Sequence, residues 1–395
     1  MEGRNDAGGS QVLRGFLTLS PETQAAIERS GATPLELRDT WLETAPALMR
    51  LWMHTIRFDG PGICAGFKQA DGKETAAVRP GAFRAGLPWK EGKSRMVYTV
   101  TFNPALDYVV RVEKLTVGGA NRAGQAEIQP GGKGINVSCV LHELGVETTA
   151  LGFVAGFTGC ELERELARRG VRTEFIHLAE GQTRINVKLK GQEETEINAA
   201  GPVILPEAQR RLLEQLDALQ AGDVLVISGS VPASMPGGSY ETLLRRVEGR
   251  GVLTVVDAAG GLLRGVLPCR PFLIKPNHLE LGELFGKKLT GEKEILECAR
   301  ALQQQGARNV LVSMAGDGSL LLDERGEVHR LGVPKGAVRN SVGAGDSMVA
   351  GFVAGWLERG DYAYAHRLGA AAGSATAFSD GLARQADILA LLEQF

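Results

Sequence analysis

Residues 97–144 read VYTVTFNPALDYVVRVEKLTVGGANRAGQAEIQPGGKGINVSCVLHEL. The run opens on Val97–Phe102, a short β-branched and aromatic segment suited to a buried strand. It closes on Ile135–Leu144, a helix-like stretch entered through the small-residue turn Gly131-Gly132-Lys133-Gly134. Between them, Val109–Glu113 and Asn121–Ile128 alternate polar and apolar residues with no helix separating them. Such alternation predicts a ribbon with one wetted face, lying off the main sheet.

Downstream the same grammar repeats. Strands are expected at Thr149–Phe153, Val224–Ser228, Leu253–Asp257, Phe272–Lys275, Asn309–Ser313 and Ser319–Asp323. Helices are expected at Glu161–Arg169, Pro206–Ala218, Gly238–Arg250, Leu279–Leu284, Gly291–Gln305 and Met348–Leu357. Strands alternating with helices predict an α/β fold with a doubly wound, mostly parallel sheet flanked by helices. Thr183–Lys190 with Glu193–Asn198 again alternates without a helix. The segments at about 109–128 and 183–198 are therefore expected to form a small β-flap lid that shuts a site from water.

Composition narrows the function classes. A chain of 395 residues with 44% hydrophobic and 23% charged residues has the balance of a globular protein. Its formal net charge of -2 offers no basic excess to a nucleic acid. No apolar run reaches the roughly 20 residues of a membrane span, so no membrane partner is expected. The first ten residues, MEGRNDAGGS, lack the apolar stretch of a secretory signal. The 5 cysteines have no metal-ligand spacing and are read as reduced thiols of a cytoplasmic protein.

The first 95 residues differ from the rest. They hold three of the 4 tryptophans, Trp41, Trp52 and Trp89, and carry a charge of opposite sign: 13 Lys+Arg less 11 Asp+Glu, or +2. Short helices are expected after Ser20-Pro21-Glu22 and from Thr33 to His54, followed by a Gly/Pro-broken stretch without periodicity. No chemical motif occurs there. Residues 1–95 are read as an N-terminal extension of unknown role, disordered or not natively translated, and 96–395 as the catalytic domain.

Three stretches carry chemistry. In Asn340-Ser341-Val342-Gly343-Ala344-Gly345-Asp346-Ser347, small residues lead into an apolar helix. A helix start aims N–H groups at an anion, and Asp346 there could take a proton from a hydroxyl, a pairing suited to phosphoryl transfer. Taken alone, the motif is equally a helix start with a favourably placed acid. In the second stretch, Gly131–Ser138, Lys133 can meet a phosphate and Asn136 a hydroxyl. The third, Asn103-Pro104-Ala105-Leu106-Asp107, follows the first strand, where polar groups line the crevice of a parallel sheet.

Together these stretches resemble the PfkB-type, ribokinase-like family of sugar kinases. The family's two signatures match GGKGINVS at 131–138 with Gly145, and NSVGAGDSMVAGF at 340–352, in the right order. The resemblance covers residues 96–395. FNPALDY (102–108), TRINVKL (183–189), SGSVP (228–232), KPNHLEL (275–281) and SMAGDGS (313–319) resemble the branch acting on fructose 1-phosphate. The branch acting on tagatose 6-phosphate is a close second, and an idle sensor of sugar phosphates or nucleotides is a third reading.

The resemblance implies ATP and Mg²⁺ as cofactors and a role for each matched residue. Asp346 is implied as the catalytic base, with the N–H groups around Gly343, Ala344 and Gly345 as the anion hole. Ser313, Met314, Ala315, Gly316, Asp317 and Gly318 match the nucleotide loop, closed by Gly345 and Asp346. Asn277 and Glu280 match a pattern linked indirectly, through water, to Mg²⁺. Asp107, Gly132 and Asn136 match contacts to sugar hydroxyls. Lys133 and Arg184 are the cations chosen for the phosphate already on the sugar, because a dianion needs them. Asn340 stands where many relatives have Asp. A homodimer paired through the flap is also implied.

Overall fold

The computed structural model describes residues 95–191 and 194–395, and the backbone of four short strands nearer the start. The chain divides into two units, Met1–Ala85 and Gly86–Phe395. Within the first, β1 (Glu2–Arg4) pairs antiparallel with β2 (Ser10–Val12), and β3 (Ile56–Asp59) with β4 (Gly62–Ala65). The helices expected after Pro21 and over Thr33–His54 lie outside the described residues.

In the second unit, β5 (Val97–Thr101) is followed by β6 (Ala105–Arg111), β7 (Gln125–Gly131), α1 (Lys133–Glu143), β8 (Thr148–Ala155) and α2 (Gly156–Arg168). Then come β9 (Arg172–Thr173), β10 (Ile176–Leu178), β11 (Arg184–Lys190), β12 (Glu194–Ile197) and α3 (Pro206–Leu216). The chain continues through β13 (Val224–Ser228), α4 (Ser239–Val247), β14 (Leu253–Asp257), α5 (Gly260–Val266), β15 (Leu273–Ile274), α6 (His278–Phe285) and α7 (Glu292–Gln304). It ends with β16 (Asn309–Ser313), β17 (Ser319–Leu322), β18 (Val328–Leu331), α8 (Ala344–Arg359), α9 (Tyr362–Ala377) and α10 (Gln385–Leu392).

The main sheet runs β10-β8-β5-β13-β14-β15-β16-β17-β18, with β9 on β8. It is parallel from β10 to β16, as the alternation of strands and helices requires. Strands β17 and β18 are antiparallel additions. Only the turn Ala315–Asp317 joins β16 to β17, and so short a link cannot carry a parallel crossover. The chain leaves β5 toward β8 on one side and reaches β13 on the other, so strand order reverses beside β5. That is where α/β sheets open a ligand crevice.

Both faces of the sheet are buried, which is why its strands read as unbroken apolar runs. Along β13, Leu225 and Ile227 join one core with α3 to α7, while Val224 and Val226 join the other with α1, α8, α9 and α10. In β14 and β15, Val256 and Ile274 face the first core and Val255 and Leu273 the second. A smaller cluster packs Leu162 and Leu166 of α2 on Ala150 and Val154.

The two ribbons form one four-stranded sheet, β12-β11-β6-β7. The alternation anticipated antiparallel ribbons, and β6–β7 and β11–β12 are antiparallel. The join between them is parallel, β6 on β11, pairing Asp107 with Asn186 across a long stretch of sequence. Among the expected helices within the described residues, two start more than two residues from the expected position. Helix α8 begins at Ala344 rather than Met348, so Asp346 falls within its first turn; α2 begins at Gly156 rather than Glu161. In both, glycine and other small residues hide the helical period that apolar spacing would reveal.

Candidate active site

The carboxyl ends of five parallel strands converge on one cavity of about 630 Å³. Thr101 and Asn103 come from the end of β5, Gly229 and Ser230 from β13, Asp257 from β14, Lys275 from just past β15, and Ser313 from β16. The start of α8 supplies Gly343, Gly345 and Asp346, and the start of α1 supplies Gly132, Lys133 and Asn136. The flap contributes Asp107, Arg184, Asn186 and Lys188 from its inner face. Residues implied for the base, the sugar and its phosphate thus share one chamber.

The turn into α8 requires glycine. Gly343 adopts φ 80, the left-handed region, and caps the helix. The Ala344 N–H leans on the Ser341 carbonyl at 3.4 Å, while Gly343 and Gly345 face the cavity. Asp346 is buried, and its Oδ2 accepts a 2.8 Å hydrogen bond from Asn136 Nδ2. That bond ties the first turn of α8 to the first turn of α1. Burial and the nearby Asp257 charge push the Asp346 carboxyl up to about 6, against the pull of Asn136, Lys133 and Lys275. A carboxylate with a pKa near neutrality is poised to accept a proton.

Beside this turn lies a cationic cluster. Lys133 Nζ lies 3.3 Å from Asp257 Oδ2, and Lys275 Nζ lies 3.3 Å from Asp257 Oδ1. Burial alone would lower the Lys133 ammonium; the Asp257, Asp346 and Glu280 charges outweigh it and hold it above its ordinary value. Asp257 is held below the usual carboxylate range: burial opposes this, and Lys275 and Lys133 overcome it. Arg184 donates to the carbonyls of Asn103 at 3.1 Å and Ala199 at 3.3 Å, which fixes its guanidinium at the flap's root. Burial lowers its pKa, and Asp107 works against that.

Asp107 is already engaged. Its Oδ1 accepts from Asn186 Nδ2 at 2.9 Å, and its Oδ2 pairs with Lys188 Nζ at 2.9 Å. Asn186 and Thr101 line the cavity, and Asn186 Oδ1 and Thr101 Oγ1 are buried with no hydrogen-bond partner.

Of the residues expected to form a nucleotide loop, Ser313 reaches the cavity wall. Met314 is buried, and Ala315, Gly316 and Asp317 form a tight turn with Gly318 beside the cavity rather than on its lining. Gly318 sits at φ 86, where a Cβ would lie 2.1 Å from the Leu331 carbonyl, so the turn depends on glycine. Asn277 and Glu280 also line the cavity but form the capping box of α6. Asn277 Oδ1 accepts the N–H groups of Leu279 and Glu280, and Glu280 Oε2 accepts the Asn277 N–H at 2.8 Å. A helix-starting role therefore already explains this pattern.

Reasoning from sequence missed Asp257 and Lys275 as site residues. Each ends or follows a short apolar strand, LTVVD and LIK, and a charge at that place is the signal that was available. Asn186 and Lys188 were missed because their partner Asp107 is remote in sequence.

Comparison with known proteins agrees with this geometry. The model of the pfkB family of carbohydrate kinases matches residues 100–388. The chain is 47% identical over 299 residues to the 1-phosphofructokinase of Bacillus subtilis, covering 76% of this chain and 98% of that protein. It is 39% identical over 289 residues to the D-tagatose-1-phosphate kinase of Bacillus licheniformis, covering 73% and 94%. The solved structure of phosphofructokinase-2 from Escherichia coli in complex with fructose-6-phosphate matches with a TM-score of 0.71 and 29% identity, covering 76% of this chain and 98% of that one. An α/β sheet of this topology with this chamber defines a sugar-phosphate kinase. The chain belongs to the pfkB family of carbohydrate kinases.

Proposed function

We propose that this chain transfers the γ-phosphoryl group of ATP to the free primary hydroxyl of fructose 1-phosphate, giving fructose 1,6-bisphosphate. One observation carries the reading: a buried carboxylate, Asp346, sits on the first turn of α8 and faces the same cavity as Lys133 and Arg184. The likeness to the Bacillus subtilis enzyme supports the choice of sugar.

Asp346 accepts the hydroxyl proton as that oxygen attacks the γ-phosphorus. The bond from phosphorus to the bridging oxygen breaks and ADP leaves. N–H groups at the start of α8 face the charge on the moving phosphoryl. Arg184 takes the phosphate already on the sugar; Lys133, chosen with it from the sequence, is read instead as facing the moving phosphoryl, because it shares Asp257 with Lys275 beside the start of α8. Asn136 and Asn186 take the sugar's hydroxyls. The donor set beside the nucleotide end suits a hydrated Mg²⁺, since Glu280 has a second carboxylate oxygen outside the capping box and Mg²⁺ keeps most of its waters. Held there, Mg²⁺ would neutralise charge on the nucleotide phosphates.

A second reading is favoured by the relatives named for D-tagatose 1-phosphate, which differs from fructose 1-phosphate at one hydroxyl-bearing carbon. Their phosphate is on carbon 1, so the alternative sugar moves from tagatose 6-phosphate to tagatose 1-phosphate. Measuring ADP release with fructose 1-phosphate, tagatose 1-phosphate, tagatose 6-phosphate and fructose 6-phosphate decides among them. The highest kcat/KM is expected for fructose 1-phosphate; a higher value for another sugar overturns the assignment. Arg184→Ala should raise the sugar-phosphate KM about 10- to 100-fold, the worth of a charge-assisted contact, and leave the ATP KM unchanged.

The flap's outer face supports a homodimer. Ile197, Val187, Tyr108 and Ile128 lie in one row across all four strands, and Ile197, Tyr108 and Ile128 are exposed. A second copy of this face would cover the row. Among the described residues no helix is long and apolar enough to cross a membrane, and Cys139, Cys160, Cys269 and Cys298 are free, in keeping with a cytoplasmic enzyme.

A further inference from the structure

Asp257 is assigned no role by the reaction outlined above, yet it is the most enclosed charge in the chamber. It ends β14, is 1% exposed, and holds one lysine on each carboxylate oxygen. Those lysines come from different elements, Lys133 from the start of α1 and Lys275 from just past β15. Lys275 is also buried, at 5%. Its Nζ lies 3.1 Å from the point where a Cβ on Gly345 would stand, so the ammonium abuts the turn that starts α8.

Two ammoniums on one carboxylate leave one net positive charge on the chamber floor. Without Asp257, Lys275 would be a buried charge with no ion-pair partner, a costly state. With it, both long side chains are held in one geometry, and the excess charge lies beside the helix start. An incoming phosphoryl group would meet the ammoniums and the helix N–H groups together, with no reorganisation needed during transfer.

We propose that Asp257 is a positioning residue that presents Lys133 and Lys275 together as a two-ammonium seat for the phosphoryl group in transfer. The inference rests on the functional reading above and adds to it the residue that aims the cations. Asp257 acts through the lysines and does not touch the reacting atoms. A second consequence is electrostatic. Asp346 is faced by Asp257, Lys133, Lys275 and Asn136, and the Asp257 charge is one of the two causes that raise its carboxyl.

The test is a double-mutant cycle on the full chain, with Asp257→Asn, Lys275→Met and the pair together, measured as kcat and KM for ATP and fructose 1-phosphate. Asp257→Asn keeps the shape and removes the charge. It should lower kcat about 10²-fold or more, the cost of a misaimed transition-state donor, and change the ATP KM less than about threefold. Lys275→Met should lower kcat to a similar degree. The double variant should be no slower than the slower single variant, because Asp257 acts through its lysines. The acid limb of the kcat–pH profile should also move to lower pH in Asp257→Asn, since a charge that raises Asp346 is gone.

Losses that multiply in the double variant, or an Asp257→Asn variant within threefold of wild type, would overturn the proposal. Should Asp257→Asn fail to fold, Lys275→Met alone decides: unchanged kcat removes the seat. If wild type instead prefers a different ketohexose phosphate, the functional reading fails, and the same variants assayed on that sugar still test Asp257.

Discussion

Two glycine-rich turns open onto the chamber, and they use their glycines for different ends. At 131–134, Gly132 caps α1 at a positive φ of 125, and the missing side chains on either side of it serve packing. A Cβ on Gly131 would fall 2.5 Å from Asp107 Oδ1, and one on Gly134 would fall 2.5 Å from Thr101 Oγ1 and 3.0 Å from the Val100 carbonyl. Here glycine lets α1 lie against β5 and beside the flap. At 343–345, Gly343 supplies a left-handed capping residue, and a Cβ on Gly345 would meet only the flexible end of Lys275. There glycine keeps the helix start open to a ligand. The same residue type that seals one helix onto the sheet exposes the other.

That contrast can be broken or sharpened by measurement. The largest effect is expected at the open turn. Asp346→Asn should lower kcat about 10²- to 10⁴-fold, as removal of a general base does, with ATP binding preserved. Near-wild-type turnover would remove Asp346 from the base role. The same variant should be at least as stable as wild type at neutral pH. The folded carboxyl sits at about 6, above its value in the unfolded chain, so its ionised form weakens the fold above that pH. This penalty shrinks as pH falls below about 6 and is gone only below the carboxyl's unfolded value, about 4. Thermal unfolding of both proteins at neutral pH checks the sign.

Gly345→Ala should come next, with kcat falling up to about 10²-fold as Lys275 is displaced, and with little change in Tm. Gly134→Ala should show the reverse. Backbone on β5 cannot yield as a lysine tip can, so overpacking should cost about 1–3 kcal/mol in denaturant unfolding. A Gly134→Ala protein of normal stability, or an unstable Gly345→Ala, would erase the distinction between the turns.

A milder effect concerns pH. Transfer needs Asp346 ionised, so kcat should fall as pH drops through about 6, approaching tenfold per unit well below it. A kcat flat down to pH 4 would mean that another group takes the proton. The smallest change in rate is expected from Ile128→Asp on the flap's outer face. It should shift the protein from dimer to monomer by light scattering, while the cavity-facing residues of the flap stay in place.

Much of this was legible in the residues themselves. The β-branched runs and the helices between them announced a parallel sheet, because strand and helix periods are local properties. Gly343-Ala344-Gly345-Asp346 and Gly131-Gly132-Lys133-Gly134 pointed to helix starts at an anion, because capping and backbone freedom also act within a few residues. The antiparallel pairing of β17, by contrast, went unread, although its link to β16 is too short to cross over.

Tertiary structure alone decided the rest. Asp257, Lys133 and Lys275 are far apart in the chain and meet because three elements end at one edge of the sheet. The parallel join of β6 to β11, which sets Asn186 and Lys188 on Asp107, has no local cause. That Asn277 and Glu280, which cap α6, also line the chamber is visible only in the folded chain. Sequence determines what each segment prefers to be, since those preferences are short-range. Which charges share a chamber depends on long-range burial, because only the closed fold removes the water between them.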